Sequence, residues 1–308
     1  MSSSKDRSVD SFENLRNRID RFFRNRTVYK PHLSQLSLDL PVISNSRRNI
    51  EYPSKSVTEF LDFISDALPD GNIYLFGGIL RDMALLGRKG FNSDIDIVVE
   101  GSWRNCVPYL ESLGARKNKF GGYRLEVAGW PIDIWSAKET WAIRQGLVPY
   151  MGIASLTETT VLNWDAILMN WRTRNFICGE DYLNQINSKL LDIVLEKNPN
   201  PLGMAVRVLR HLCIKDAHKI TPSAANYLAT CTSIFTFGEI KRSEIRSYGN
   251  SEIEPAIYKL FEHFKRYEHL EIRERFKNST DHLKKLGVSL PFRQNRWNFD
   301  KFLESDHA

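Results

Sequence analysis

The chain has 308 residues, of which 42% are hydrophobic and 26% are charged. Because domains usually hold about 100–200 residues, this length predicts two compact units of ordinary globular composition. The sequence contains no apolar run of about 18 residues and no apolar N-terminal stretch, so it predicts neither a membrane-spanning helix nor a secretory signal. Four widely spaced cysteines favour a reduced, cytoplasmic protein, and a net charge of +6 favours an anionic partner.

Residues 1–55 are predicted to form a basic helix followed by a linker. Apolar residues recur at three- and four-residue steps, which indicates an amphipathic helix: Phe12, Leu15, Ile19, Phe22 and Phe23. Five arginines are interleaved with them. This helix either packs on the main body or presents a basic strip to RNA. Pro31 and Pro41, among several Ser and Asn residues, indicate a linker or an irregular segment over residues 31–50.

Residues 56–180 alternate helical and strand patterns. Helices are predicted over 57–68, 79–86 and 103–113, and strands over 73–76, 94–99, 120–127 and 130–137. This order predicts an α+β domain, a small mixed sheet that carries helices on one side. Residues 181–308 show helical patterns, including 222–233, 234–247 and 253–276, so they are predicted to form an all-α domain. The terminal stretch 291–299 mixes aromatic and basic residues, and it either contacts RNA or docks on this domain.

Two aspartates one residue apart lie on the predicted strand 94–99. Strand side chains alternate between faces, so Asp94 and Asp96 share one face while Ile95 and Ile97 face a core. Adjacent carboxylates repel each other unless a cation lies between them, which predicts a metal site for Mg²⁺.

A glycine pair precedes the predicted helix 79–86. The backbone N–H groups of Gly77 and Gly78, with the dipole of that helix, suit a bound phosphate. Metal-binding carboxylates beside a phosphate site are the parts of a nucleotidyl-transfer site. The alternative is an ordinary β-turn-α unit with a solvated acidic strand end.

The ordered motif Gly77-Gly78-Ile-Leu-Arg81-Asp82, then Leu-Leu-Gly, then Asp94-Ile-Asp96 resembles the head domain of CCA-adding enzymes and bacterial poly(A) polymerases. These are class II members of the polymerase-β-like nucleotidyltransferase superfamily, and the resemblance covers roughly residues 70–215. It implies a nucleotidyltransferase head at 56–180 and a helical neck and body at 181–308. The implied reaction adds nucleotides from ATP and/or CTP to an RNA 3′ end, with tRNA as the expected acceptor, and releases pyrophosphate.

The resemblance also implies roles for individual residues. A third catalytic and metal-binding carboxylate comes from the strand beside the Asp-x-Asp strand, and Asp133 is assigned to it, the alternative being an exposed strand residue. Arg81 contacts the nucleotide, and Asp82 orients the loop or takes a buried hydrogen bond. Arg207 and Arg210 match two arginines that grip the nucleotide; the alternative is that one or both pair with acids on a neighbouring helix.

Several positions depart from the family pattern. Asp165 stands where Asn is usual, and Thr159 and Thr160 stand where Arg is usual. Gly203 and Met204 replace a Glu and an Asp that in CCA-adding enzymes help to choose between C and A. The chain is therefore interpreted as a divergent member. The alternatives are transfer to a small molecule or protein, in a toxin or defence role, and a non-catalytic module that binds nucleotide or RNA.

Overall fold

A computed structural model describes residues 8–24, 56–68, 71–91, 93–215, 217–291 and 294–297. These residues form two compact units. The first contains residues 8–24, 56–160 and 164–187, and the second contains residues 161–163 and those from 188 onward. The predicted linker at residues 31–50 lies outside the described residues.

The first unit contains a mixed sheet and six helices among its described residues. The helices are α1 (Phe12–Arg24), α2 (Val57–Asp66), α3 (Gly78–Leu85), α4 (Trp103–Ser112), α5 (Trp141–Arg144) and α6 (Tyr182–Ser188). The strands are β1 (Asn72–Phe76), β2 (Ile95–Glu100), β3 (Arg116–Lys117), β4 (Tyr123–Val127), β5 (Trp130–Ser136), β6 (Ile167–Asn170) and β7 (Phe176–Cys178).

The seven strands are ordered β3-β4-β5-β2-β1-β6-β7. Strands β2 and β5 run parallel, and every other neighbouring pair is antiparallel. The predicted α+β fold with a small mixed sheet is confirmed. Two details were wrong: Asp94 precedes β2 rather than starting it, and the sequence patterns missed the short strands β3, β6 and β7.

The two faces of the sheet are covered differently. Ile73, Leu75, Ile95 and Ile97 are at most 2% exposed and alternate with more polar positions, and α2 and α3 pack against this part of the sheet. The opposite face carries a smaller core. It contains Tyr74, Val98, Ala137, Leu156 and Leu168, with Trp135, Ile143, Tyr150 and Ile153 packed around it. The chain between β5 and β6 therefore covers part of the face on which Asp96 lies.

Helix α1 is an integral part of the first unit. Leu15, Ile19 and Phe22 are at most 3% exposed. The ring of Phe22 lies 5.3 Å from that of Trp130, and Arg18 donates a hydrogen bond to the carbonyl of Met83 at 3.0 Å. Of the two alternatives for this predicted helix, the structure shows the packed one.

The second unit is helical, as predicted. Its helices are α7 (Pro201–Ile214), α8 (Pro222–Ile234), α9 (Phe237–Tyr248), α10 (Pro255–Arg266) and α11 (Ile272–Lys285), and a two-residue parallel ladder joins β8 (Leu190–Leu191) to β9 (Lys219–Ile220). The single helix predicted over 253–276 is wrong, because α10 ends at Arg266. The guanidinium of Arg275 in α11 donates to the carbonyl of Phe264 in the last turn of α10, which ties the two helices side by side.

Three further expectations can be compared with the described residues. Trp297 is 5% exposed and its ring lies 5.9 Å from that of Phe261, so this part of the terminal stretch docks on the helices. All four cysteines are free thiols. Within the described ranges, no helix is both long and apolar enough to cross a bilayer.

Candidate active site

The three predicted acids lie at neighbouring positions of the sheet. Asp96 on β2 is the register partner of Asp133 on β5, so both side chains lie on the same face. Asp94 directly precedes β2, and the side chains of Asp94 and Asp133 are 27% and 24% exposed. The expectation that the strand of Asp133 lies beside that of Asp96 is confirmed.

A guanidinium group lies between two of these acids. Arg124 on β4 is the cross-strand partner of Asp133. Its Nε and Nη2 atoms donate to the two carboxylate oxygens of Asp133 at 3.0 Å each, and Nη2 also contacts the carboxylate of Asp94. The carboxylates of Asp94 and Asp133 therefore converge on one positively charged nitrogen.

Arg124 was not among the predicted site residues, although the sequence contains a signal for it. The two-residue turn at Ala128 and Gly129 joins β4 to β5, and both residues have positive φ, the geometry that closes such hairpins. The sequence pattern already indicates this turn, and counting back from it pairs residue 124 with residue 133. The basic side chain opposite the third acid could thus have been predicted.

The donor set suits a hard divalent cation, although the described residues contain no group of three His, Cys, Asp or Glu side chains arranged to hold a metal ion. Carboxylate oxygens are the ligands that Mg²⁺ prefers. Two of the three acids already share a cationic partner, and the side chain of Arg124 is 53% exposed. An exposed arginine can leave its carboxylates at small energetic cost. In this arrangement a magnesium ion could bind the carboxylates of Asp94 and Asp133 only after Arg124 has left them.

The glycine turn lies at the end of β1, next to β2. Gly77 has φ +60°, a conformation that glycine adopts without strain. Its N–H donates to the carbonyl of Ile167 at 3.0 Å. The expectation that both glycine N–H groups hold a phosphate is therefore corrected for Gly77, whose N–H is used by the sheet. Gly78 begins α3, where the first N–H groups have no partner within the helix.

Arg81 is buried between two acids. It is 7% exposed, its Nε donates to Asp82 at 2.9 Å, and its Nη1 contacts Asp165. Burial alone would lower the pKa of Arg81, but the carboxylates of Asp165 and Asp82 outweigh it and raise that pKa above its ordinary value. Asp82 takes the buried hydrogen bond that was one of its two expected roles. The nucleotide contact of Arg81 stays a prediction, because its guanidinium is engaged with these acids.

The two arginines of α7 have different surroundings within the second unit. Arg210 is 8% exposed, contacts Glu244 of α9, donates to Asn250 at 3.0 Å and lies 4.2 Å from the ring centre of Tyr248. Arg207 is exposed. For Arg210 the structure shows the alternative, an ion pair with a neighbouring helix. A nucleotide contact of these two arginines stays a prediction.

A tyrosine pair fixes the chain segment that covers the acidic face. The hydroxyls of Tyr74 and Tyr150 donate to the two carboxylate oxygens of Glu100 at 2.9 and 3.2 Å. Burial, together with the nearby charge of Glu100, raises the pKa of each tyrosine to about 12. Both hydroxyls therefore stay protonated donors at neutral pH. This contact was not anticipated from the sequence.

Comparisons with known proteins give structural matches only. No family model and no curated protein matches the chain. The solved structure of the Thermotoga maritima CCA-adding enzyme complexed with tRNA-CCA is 14% identical and covers 77% of this chain and 67% of that chain, with a TM-score of 0.46. The structure of a CCA-adding enzyme with CTP is 14% identical and covers 77% of this chain and 68% of that chain, with a TM-score of 0.46. The structure of a tRNA nucleotidyltransferase complexed with a primer tRNA and an incoming ATP analog is 14% identical and covers 80% of this chain and 84% of that chain, with a TM-score of 0.44. At these values the similarity carries no argument about function, for which the site itself must supply the support.

Proposed function

We propose that this chain is a magnesium-dependent nucleotidyltransferase. It adds nucleotides from ATP and/or CTP to an RNA 3′ end, with tRNA as the acceptor, and releases pyrophosphate. The observation that carries the proposal is the register of Asp96 and Asp133 on adjoining parallel strands, with Asp94 beside them. The N-terminus of α3, which begins at Gly78 just after the neighbouring strand β1, adds a candidate phosphate site.

Each of these residues has a proposed task. Asp94, Asp96 and Asp133 would hold magnesium, which when bound offsets phosphate charge and lowers the pKa of the acceptor hydroxyl. A carboxylate oxygen of Asp133 accepts the proton of that hydroxyl. The N-terminal turn of α3, which begins at Gly78, orients the triphosphate. Catalysis of this kind depends mainly on positioning and on charge stabilisation.

The proposal is tested by removing the two charges of the Asp-x-Asp motif. In Asp94→Asn/Asp96→Asn, pyrophosphate release should fall at least about a thousandfold, since several kcal/mol of charge stabilisation are lost and each ~1.4 kcal/mol is tenfold in rate. The matched control is Asp66→Asn/Asp181→Asn, which removes two exposed acids elsewhere in the first unit. Circular dichroism should show both variants folded.

The acceptor is identified by incubating the protein with radiolabelled nucleotides and total RNA. Label on RNA, and specifically on tRNA 3′ ends by mass spectrometry, is the expected result. Label on a protein or small molecule would replace RNA as the acceptor. Equal pyrophosphate release by the wild type and the double variant would refute the mechanism.

A non-catalytic module is the second candidate, and one observation favours it. Arg124 neutralises Asp94 and Asp133, so these acids are tolerable in the fold without a metal ion. A magnesium titration of nucleotide binding separates the two candidates. The transferase should bind nucleotide more tightly as magnesium is added, and a non-catalytic module should not respond.

A further inference from the structure

Arg124 lies between the acids and a second arginine on the edge strand of the sheet. Across the strands, the register pairs Asp96 with Asp133, Asp133 with Arg124, and Arg124 with Arg116 on β3. Residues paired in this way lie on one face. Two carboxylates are thus followed by two guanidinium groups, and β3 is the edge strand.

The two arginines differ in how their charge is compensated. Arg124 is held by Asp94 and Asp133, whereas Arg116 is exposed and has no carboxylate partner among the described residues. Like charges directly opposite each other on neighbouring strands are unfavourable. An anion that bridges Arg116 and Arg124 would relieve this repulsion, and a phosphate can accept paired hydrogen bonds from guanidinium groups.

We propose that Arg116 and Arg124 form a phosphate-binding pair and that Arg124 exchanges between Asp94 and Asp133 on one side and a substrate phosphate on the other. The phosphate belongs either to the triphosphate of the nucleotide or to the backbone of the acceptor strand. This inference rests on the proposed function, because it assigns the acids to a metal ion.

The exchange couples the two ligands. When Arg124 turns to a phosphate, Asp94 and Asp133 lose their positive partner, and their mutual repulsion raises their affinity for a divalent cation. By linkage, a bound phosphate strengthens metal binding by the same factor as a bound metal strengthens phosphate binding. The free protein is thereby kept from binding metal tightly before substrate arrives.

The first measurement is Mn²⁺ affinity, followed by electron paramagnetic resonance without any phosphate compound. Arg124→Gln should bind Mn²⁺ about 3–10-fold more tightly than the wild type, because metal no longer competes with an exposed ion pair. Arg116→Gln removes the same charge from the adjacent strand and is the matched control. It should stay within about twofold of the wild type, because its charge is not in contact with the acids.

The second measurement is phosphate binding in EDTA, with two separate probes. A fluorescent oligouridylate represents the acceptor strand, and a non-hydrolysable ATP analogue represents the nucleotide. Arg116→Gln and Arg124→Gln should both lower the affinity for the one probe whose phosphate binds between these arginines. The probe whose affinity falls identifies the source of the phosphate. In the wild type, oligouridylate should also raise Mn²⁺ affinity if it is the source, and this rise should vanish in Arg124→Gln.

Three results would overturn the exchange. The first is an unchanged Mn²⁺ affinity in Arg124→Gln, and the second is an equal increase of Mn²⁺ affinity in Arg116→Gln. The third is that neither variant changes the affinity for oligouridylate or for the ATP analogue. A failure of the proposed function is recognised separately. If Asp94→Asn/Asp96→Asn binds Mn²⁺ as well as the wild type, the metal does not bind at these acids.

Discussion

Arg81 shows at the scale of one residue how a motif arginine can serve the fold. It is 7% exposed and contacts two carboxylates, one from its own helix and one, Asp165, from the segment before β6. A buried charge is tolerated only when it is paired. The negative charge of Asp165 is what Arg81 contacts here. An aspartate at position 165 therefore has a local electrostatic reason.

Replacing Arg81 should expose this dependence. Arg81→Met should lower the free energy of unfolding by about 3–5 kcal/mol, because it leaves two buried carboxylates without their cation. Asp165→Asn should cost only about 1 kcal/mol, since Asp82 keeps its charge pairing and the amide oxygen still accepts a hydrogen bond. Urea unfolding at pH 7 measures both. An Arg81→Met protein as stable as the wild type would show that Arg81 is not locked by these acids and is available to a nucleotide.

His263 on α10 predicts a dependence of stability on pH. It is 6% exposed, its Nδ1 atom has no hydrogen-bond partner among the described residues, and its ring lies 4.2 Å from that of His282. Burial, then the charges of His282 and Arg266, lowers the pKa of His263 below its ordinary value of 6.5. Glu262 opposes this effect and Lys259 adds to it.

The sign follows from proton binding. Below about pH 6.5 the unfolded chain binds a proton at residue 263 that the folded protein resists, so the free energy of unfolding falls as the pH falls through this window. His263→Leu should reduce the slope between about pH 5 and 7, whereas the exposed control His269→Gln should not. Urea unfolding at several pH values measures this slope of the free energy of unfolding for the wild type and for both variants. An identical slope in wild type and His263→Leu would contradict the assignment.

Helix α7 carries two arginines whose surroundings differ, since Arg210 is buried and Arg207 is exposed. Arg210 contacts Glu244, which is fully buried and also accepts hydrogen bonds from the backbone N–H groups of Glu252 and Ile253. The carboxylate of Glu244 therefore joins α7 and α9 to the end of the loop that leads to α10. Arg207, one helical turn earlier, is exposed.

Two substitutions on α7 separate structure from ligand binding. Arg210→Met should lower the free energy of unfolding by about 3–5 kcal/mol, because Glu244 would stay buried without a cation. Arg207→Gln should lower it by less than Arg210→Met does, because the side chain of Arg207 is exposed. If Arg207 contacts the nucleotide, the same variant should weaken nucleotide affinity, measured by calorimetry. Unchanged nucleotide affinity would remove Arg207 from the site.

The elements themselves were predictable where the apolar pattern was long. The helix of residues 57–68 and the strands of residues 73–76 and 130–137 were identified because burial on one or both faces shaped their sequences. Strand β3 has two residues, both exposed, so no pattern marks it. Strand β6 is buried at all four positions and shows no alternation, and β7 has only three half-buried residues. Their pairing is a tertiary effect that local periodicity does not reveal.

The site was predictable only in part for the same reason. Ordered motifs located Asp94, Asp96 and the glycine turn, and resemblance added Asp133. The contacts of Arg124 with Asp94, and of Arg81 with Asp165, join residues 30 and 84 positions apart. Sequence spacing carries little information on such pairs. The hydrogen bond from the Gly77 N–H to the carbonyl of Ile167 depends likewise on β6, a strand that no alternating pattern marks.

The net charge of +6 provides a test that does not depend on any one residue. RNA binding releases counterions, so the logarithm of the affinity falls linearly with the logarithm of salt concentration, by about 0.7 for each phosphate contact with a single strand. Four such contacts would weaken binding about fiftyfold between 50 and 200 mM KCl.

The KM for an RNA acceptor should rise accordingly, while the KM for a small-molecule acceptor, which displaces far fewer counterions, should rise only a fewfold. Steady-state assays at three salt concentrations, with kcat recorded separately, distinguish the two. A KM for RNA that is independent of salt would argue against a polynucleotide acceptor, since a strand held by the basic residues of this chain must compete with cations in solution.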